Sequence, residues 1–456
     1  MRLIRTTTKL TAAGALVLSG IACWACGGHT ESDRGTPGGG GGTSGGGGMS
    51  GSGASAGTGA SAGKGGSAGG GGGCSLVVDK AGDLPPPISP TARVSGPAVA
   101  ATDDGFVIGY RDQDGSDSRA VLAFLTDDGK LSPAQMYDLG GCASKEPADG
   151  VGIAYSEGYG MMTASLPDCG QGAGAVFIPF SSDGQAGQGA GPRNKTFKTL
   201  WLAQGSPIAA AATKGEWELV YRVQHAPSGG GTAPAPWVER VVLQGAAFKL
   251  SVPTAKPFGD VHVPYGMVAT SPQVRAFLAP VQTEGGILTV VKVGTRDTDT
   301  PDEKGEFWLP QAAAWATLTV WNSRIAAGIP GDAGMIIQPA ELVNDTVKPK
   351  ALIPVGVGAV AGGAMAVLRS YLLVAQGRSG GITVHRLDGA DASLSGNAEV
   401  WMDLPVSLGS TNLSAFDGSH IAIAAARKRV VVAWLSKSKL VNGNATGGWA
   451  TLKCND

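Results

Sequence analysis

The sequence predicts an all-β domain, and more specifically a seven-bladed β-propeller that follows a disordered glycine-rich linker. Three observations predict it: a two-strand phrase recurs at spacings of about 50 residues, Asp-Gly pairs punctuate the chain, and helical periodicity is scarce. A four-stranded blade takes about 40–50 residues, so about seven copies fit the chain. A tandem pair of β-sandwiches is the alternative.

The recurring phrase is a strand of small apolar residues, a turn, and a second strand that ends in an aromatic residue. The clearest copy begins at Pro97, turns at Thr102-Asp-Asp-Gly105 and ends at Tyr110-Arg111. The other copies begin near Val151, Pro207, Gly266, Ala314, Val360 and Ala415. Small side chains suit inner strands that converge on a propeller axis, and larger aromatic residues one strand out fill the space between blades.

Asp-Gly pairs indicate tight hairpin turns, because such turns need positive φ angles. They occur at Asp104-Gly105, Asp128-Gly129, Asp183-Gly184, Asp388-Gly389 and Asp417-Gly418. The uncharged run from Ala351 to Leu368 contains four glycines and Pro354, which favour an inner propeller strand over a membrane helix.

The first 22 residues have the zones of a secretory signal. Arg2, Arg5 and Lys9 form a positive n-region, and the apolar run Leu10–Ala22 is too short for a stable membrane span. Small residues then lead into a cysteine. We expect residues 1–22 to be a cleaved signal peptide.

The cleavage site resembles a bacterial lipobox, in which a small residue precedes a cysteine that becomes lipidated. Gly20-Ile21-Ala22-Cys23 fits this pattern, and Cys26 is the alternative, although a bulky Trp24 precedes it by two positions. The resemblance implies a diacylglyceryl anchor on Cys23, hence attachment to a membrane in the bacterial cell envelope as an outer membrane lipoprotein.

Residues 23–73 form a tether of low complexity. Of the 47 residues from Gly27 to Gly73, 24 are glycine, so this segment cannot bury enough apolar surface to offset its chain entropy and is predicted to be disordered. A coil of this length spans roughly 35–40 Å on average. The lipobox and this tract together resemble surface lipoproteins of myxobacteria and their relatives.

Residues 74–456 form the predicted propeller domain, which contains four cysteines. Export places them in an oxidising compartment, where cysteines tend to pair, and four cysteines permit three connectivities. A propeller brings its two chain ends together in one blade. We therefore expect Cys74 to pair with Cys454, and Cys142 to pair locally with Cys169.

No cofactor or metal is expected, because His225, His262, His385 and His420 stand at no metal-ligand spacing and are assigned structural roles. Asp112, Asp114 and Asp117 are weak calcium candidates. The twelfth position of that loop is Ala123 rather than a bidentate glutamate, so a polar hairpin tip is the preferred interpretation.

The expected function is a non-catalytic surface module that presents the propeller to a protein or glycan partner. Trp237 and Trp308 are weak candidates for ligand stacking, although packing between blades is the preferred role for Trp308. Since the formal net charge is −1 and no basic patch stands out, nucleic acid is excluded as a partner, and a monomer is expected. The alternative is a secreted glycosidase-like or lyase-like enzyme that uses the central channel.

Overall fold

All described residues of the computed structural model belong to the unit Gly63–Asp456, which is distinct from the unit Met1–Ala62. The structure describes residues 74–89, 91–139, 151–166, 174–182, 209–213, 216–223, 235–244, 247–250, 267–270, 274–283, 286–295, 303–311, 316–321, 324–344, 346–356, 358–378, 381–388, 399–405, 420–435 and 447–455.

These residues form antiparallel sheets, which we call blades 1 to 7. The first strand, β1 (Ser75–Asp83), precedes blade 1, which contains β2 (Arg93–Thr102), β3 (Gly105–Asp114), β4 (Asp117–Thr126) and β5 (Gln135–Asp138). Blade 2 contains β6 (Val151–Ser156), β7 (Tyr159–Leu166) and β8 (Gly174–Ser181). Blade 3 contains β9 (Ala209–Thr213), β10 (Glu216–Val223), β11 (Ala235–Gln244) and β12 (Ala247–Leu250).

The remaining blades follow the same plan. Blade 4 contains β13 (Met267–Thr270), β14 (Val274–Thr283), β15 (Gly286–Thr295) and β16 (Glu303–Trp308). Blade 5 contains β17 (Thr317–Trp321), β18 (Arg324–Gly331), β19 (Gly334–Val343), β20 (Thr346–Pro349) and the short β21 (Ile353–Val355), which also pairs with β19. Blade 6 contains β22 (Gly362–Leu368), β23 (Tyr371–Arg378), β24 (Gly381–Asp388) and β25 (Glu399–Pro405). Blade 7 contains β26 (His420–Ala426), β27 (Arg429–Leu435) and β28 (Gly447–Asn455), with β1 added at its outer edge.

The first strands of the blades form a closed ring. Going round it, β2 contacts β6, followed by β9, β13, β17, β22 and β26, and β26 contacts β2 again. This arrangement confirms the predicted β-propeller, and the described residues supply seven inner strands. We call the end at which inner strands begin the entry end, and the end at which they turn into the second strands the turn end.

The ring is closed by the two ends of the domain. Strand β1 pairs with β28, so that Leu76 lies opposite Cys454. Cys74 and Cys454 form a disulfide with a Cα–Cα distance of 5.1 Å, which confirms the pairing predicted from ring closure. Cys142 and Cys169 lie outside the described residues, so their pairing stays a prediction.

Burial differs systematically from the second strand of a blade to the outermost strand. In β3 nine of the ten residues are buried, because this strand is covered on both faces by neighbouring blades. The outermost strand β5 instead alternates between half-buried and exposed residues. The stretch Phe106–Tyr110 of β3 is therefore continuously buried and almost entirely apolar, whereas β5 shows the period-2 pattern of a half-buried strand.

The hydrophobic core lies in the gaps between blades. Phe106 and Tyr110 of blade 1 pack with Val431 and Trp449 of blade 7. Trp434 is completely buried in the next gap, where blades 6 and 7 meet. Phe106, Tyr110 and Trp434 lie on second strands and confirm, for the described residues, that large aromatic residues one strand out from the axis fill the space between blades, whereas Trp449 lies on the third strand of blade 7.

The Asp-Gly pair in the first repeat forms the predicted β2–β3 turn. Gly105 has a φ of 149°, and a Cβ atom there would lie 2.1 Å from the carbonyl oxygen of Leu125, so only glycine fits. In blade 7 the corresponding turn lies at Arg427-Lys428, with a φ of 54° at Arg427. The inner strand of this blade therefore begins at His420, later than the repeat near Ala415 indicated, since the small-apolar run itself sets the strand.

The uncharged run from Ala351 to Leu368 contains two strands rather than one. Its first part forms β21, whose buried Ile353 and Val355 pack between blades 5 and 6, and its second part forms the inner strand β22. Within the described residues, no helix has the length and hydropathy that crossing a membrane requires.

Candidate functional site

Three aspartates that sequence analysis named as weak calcium candidates lie around the β3–β4 hairpin. Asp114 and Asp117 pair at its two ends, and the turn is made by Gly115 with a φ of 58°. Asp112 instead lies further along β3 and is completely buried. The three carboxylates therefore do not converge on one point.

The carboxylate of Asp112 is occupied by protein partners. Arg119 donates from Nε to Oδ1 at 2.9 Å and from Nη2 to Oδ2 at 2.8 Å, and the main-chain N–H of Ile88 donates to Oδ2 at 2.8 Å. Arg119 also donates to the carbonyl oxygen of Pro86 at 2.8 Å. This pair is a clamp that holds the segment between β1 and β2 against blade 1. Among the described residues, no group of three or more His, Cys, Asp or Glu side chains could hold a metal ion.

The two tryptophans named as ligand candidates differ in what the structure describes. Trp237 lies in β11 opposite Tyr221, and its side chain is outside the described residues. Trp308 ends the outer strand β16 and is 43% exposed, so the preferred role in packing between blades is wrong for this residue. The reason is the alternation of β16, which turns Phe307 inward and Trp308 outward. The lipidation candidates Cys23 and Cys26 lie outside the described residues.

The chain enters the propeller at a braced point, which we call the tether root. Cys74 is bonded to Cys454, whose main-chain N–H donates to the carbonyl oxygen of Lys428 at 2.9 Å, so the root lies at the turn end. The indole Nε1 of Trp401 in blade 6 donates to the carbonyl oxygen of Cys74 at 3.2 Å. Blades 6 and 7 therefore both hold Cys74, where the predicted tether would join the domain.

A cation–aromatic stack supports this indole. The guanidinium carbon of Arg386 lies 5.2 Å from the ring centroid of Trp401 and 5.4 Å from that of Tyr371. The two rings lie 5.5 Å apart with an interplanar angle of 57°. Aromatic faces attract a cation over them, which fixes the orientation of the Trp401 indole toward the root.

The wall of the central channel is almost uncharged. The seven described inner strands carry no Asp, Glu or Lys. They carry two basic side chains, Arg93 and His420, which are the first residues of the adjacent strands β2 and β26 at the entry end. His420 lies with Nδ1 at 2.9 Å from the carbonyl oxygen of Gly96. The described inner strands therefore supply no carboxylate to the channel.

A polar cluster on blade 6 is the strongest candidate for a binding site, and we call it the blade 6 cluster. It consists of five side chains that face blade 5 near the entry end: Gln376 and Arg378 on β23, Thr383 and His385 on β24, and Asp403 on β25. The register places Gln376 opposite Thr383, and Thr383 opposite Asp403. The same face of the blade carries Val374 and Leu387, which pack against blade 5.

The cluster runs from a buried floor to an exposed rim. Gln376 and His385 are buried, Arg378 and Thr383 are half-buried, and Asp403 is exposed. Thr383 donates from Oγ1 to Asp403 at 2.8 Å, and Gln376 donates from Nε2 to the carbonyl oxygen of Val355 at 2.7 Å. Arg378 Nη2 lies 3.4 Å from Gln376 Oε1.

Three buried nitrogen atoms of the blade 6 cluster lack a hydrogen-bond partner among the described residues. Both ring nitrogens of His385 and the Nε of Arg378 are buried without a hydrogen bond to any described residue. Burial, and to a smaller extent the nearby Arg378 charge, lower the pKa of His385 to about 4, and the Asp403 charge partly opposes this shift. His385 is therefore neutral at pH 7, with one ring nitrogen as donor and the other as acceptor.

The sequence alone predicts a structural role for His385 and no role for the other four members of the cluster. A pattern that reveals them is present: Gln376 and Arg378, then Thr383 and His385, alternate with apolar residues across a short turn. Period-2 alternation on two paired strands places all four side chains on one sheet face. This pattern could not identify Asp403, because the pairing of β24 with β25 shifts register between Val384 and His385.

No protein-family description matches the chain, and no curated protein is similar to it in sequence. Among solved β-propeller structures, it resembles the N-terminal domain of Nup159 at 7% identity, over 84% of this chain and 96% of that domain, with a TM-score of 0.43. It resembles a putative 6-phosphogluconolactonase from Bacteroides uniformis at 13% identity, over 68% of this chain and 85% of that one, with a TM-score of 0.44. A prolyl endopeptidase matches at 14% identity over 74% of this chain, with a TM-score of 0.36, and the match spans 45% of the endopeptidase. At such identities the likeness concerns the fold alone.

Proposed function

We propose that the protein is a surface-exposed lipoprotein that presents its β-propeller to a protein or glycan partner as a non-catalytic binding or scaffold module. The observation that supports this proposal most directly is the tether root. The chain enters the ring through an edge strand that is bonded covalently to the C-terminal strand by Cys74–Cys454. Such a bond would keep β1 attached to β28 when the domain is pulled through its N-terminal segment.

An edge strand that is held by hydrogen bonds alone can be peeled away from its end, one hydrogen bond at a time. The disulfide lies at the end of β1 from which the tether leaves, so that a pull on the tether acts on β28 as well as on β1. The root lies at the turn end, and the blade 6 cluster lies near the entry end. The candidate binding surface is therefore well separated from the attachment point.

Lipidation at Cys23 is the part of the proposal that a single substitution tests. Full-length chain produced in a bacterium that processes lipoproteins should incorporate labelled palmitate and sediment with membranes. Cys23→Ser should abolish both, whereas Cys26→Ser should leave both unchanged. The opposite result for the two variants would move the anchor to Cys26, and label in neither protein would refute the anchor.

Surface exposure and binding need two further measurements. Protease added to intact cells should remove the propeller from the wild type only if it faces outward. The acylated full chain in detergent micelles should then bind defined glycans or proteins in an array. Because the described inner strands carry no carboxylate pair of the kind that glycosidases use, bound polysaccharide should stay intact. Release of new reducing ends would instead show an enzyme.

A further inference from the structure

We propose that the blade 6 cluster binds a neutral saccharide group at the edge of the gap between blades 5 and 6. This inference rests on the proposed binding function and names its site and ligand class. The cluster combines a buried floor, a half-buried middle and an exposed carboxylate. A ligand that enters from solvent would meet Asp403 first and His385 last.

The chemistry of the side chains matches hydroxyl groups. Arg378 can only donate, the Asp403 carboxylate can only accept, and Thr383 and neutral His385 can do both. A sugar hydroxyl likewise donates one hydrogen bond and accepts others. Adjacent hydroxyls can therefore satisfy donors and acceptors at the same time, which a fully deprotonated anion without hydroxyls or an ammonium cation cannot do.

The unpartnered groups indicate where the ligand is held. Buried polar atoms are almost always hydrogen-bonded, and exceptions require an explanation. Here the two ring nitrogens of His385 and the Nε of Arg378 are unpartnered among the described residues. His385 lies opposite Val374 and Arg378 opposite Gly381, on the same face of the blade with the Gln376–Thr383 pair between them, so one sugar unit that lies along this pair would reach both side chains.

The charge balance favours a neutral ligand over an anionic one. Arg378 brings a positive charge and Asp403 a negative charge, and both act on the same imidazole. The full set is therefore neutral at pH 7. An anion held within the cluster would be attracted by Arg378 but repelled by Asp403, whereas a neutral polyol would meet no repulsion.

The test observes His385 directly. The full chain contains five histidines, so labelling only histidine with ¹⁵N gives a small spectrum, in which His385→Gln assigns the signal. The probes are glucose, galactose, mannose, arabinose and N-acetylglucosamine, each added to about 50 mM, a range that detects millimolar affinity. We expect a saturable shift of the His385 imidazole signals with at least one of these sugars.

The matched variants are Thr383→Val within the cluster and Thr346→Val, an exposed threonine on blade 5. Thr383→Val should weaken the binding of the active sugar at least tenfold, and Thr346→Val should not change it. The proposal fails if no sugar shifts His385, if both variants bind equally, or if glucuronate shifts His385 and the neutral sugars do not. Array binding that persists in Thr383→Val would refute this site while leaving the proposed function intact. If the wild type binds nothing on the array, the proposed function itself is refuted.

Discussion

The pKa of His385 depends on both the burial of its side chain and a neighbouring charge. Its side chain is 2% exposed, and burial, followed by the Arg378 charge, lowers its pKa from the ordinary 6.5 to about 4. Between these values the unfolded chain binds a proton that the folded chain excludes. Burying neutral His385 therefore costs no unfolding free energy above pH 6.5. The unfolding free energy falls as the pH drops from 6.5 toward 4.

We expect the wild type to lose about 3 kcal/mol more unfolding free energy than His385→Gln between pH 7 and pH 4. Denaturant unfolding of the two proteins at both pH values measures this difference. Carboxylates that titrate in the same range affect both proteins and cancel. Equal losses would show that His385 does not carry the pH dependence.

At the scale of elements, the Asp112–Arg119 clamp joins blade 1 to the segment that leaves β1. Asp112 is completely buried, and its carboxylate accepts from Arg119 and from the N–H of Ile88. Arg119→Met removes the charged partner and leaves a buried, uncompensated carboxylate. We expect this substitution to lower the unfolding free energy by about 3 kcal/mol, as measured by thermal and denaturant unfolding.

A second arginine–aspartate pair provides the control. Arg427 donates to Asp127 at 3.1 Å, but both side chains are largely exposed, so solvent screens their attraction. Arg427→Met should leave the unfolding free energy nearly unchanged. The double variant Asp112→Asn/Arg119→Met should recover part of the loss, and a loss as large as in Arg119→Met alone would contradict the role of the orphaned charge.

At the scale of the whole molecule, one covalent bond closes the ring. Cys74 and Cys454 are separated by 380 residues, so the disulfide constrains a very long loop in the unfolded chain. The chain-entropy argument gives at most about 6 kcal/mol of stabilisation for a loop of this length. Replacing both cysteines with serine should therefore lower the denaturation midpoint strongly.

Reducing agent supplies the control for this prediction. It should lower the wild-type midpoint toward that of the double serine variant. A further fall in the variant itself would reveal the second predicted disulfide, Cys142–Cys169. An unchanged midpoint in the double serine variant would show that pairing of β1 with β28 closes the ring without the bond.

The sequence was sufficient to predict the architecture because the same local sequence pattern recurs along the chain. Inner strands rich in small apolar residues and hairpin turns recur along the chain, second strands are buried in blades 1, 5, 6 and 7, and the terminal cysteines identify the closure. The blade 6 cluster was not predicted, since its chemistry depends on side chains of three strands and on burial between blades. Trp308 was misassigned because its exposure depends on the phase of one short outer strand.

The closure of blade 7 also determines when the domain can be completed during synthesis. Strand β1 leaves the ribosome first, but its partner β28 ends at Asn455, next to the last residue. At about 5–20 residues per second, β1 waits roughly 20 to 80 s for its partner. During that time it presents an unpaired edge containing Val77 and Val78, which invites contact with other chains.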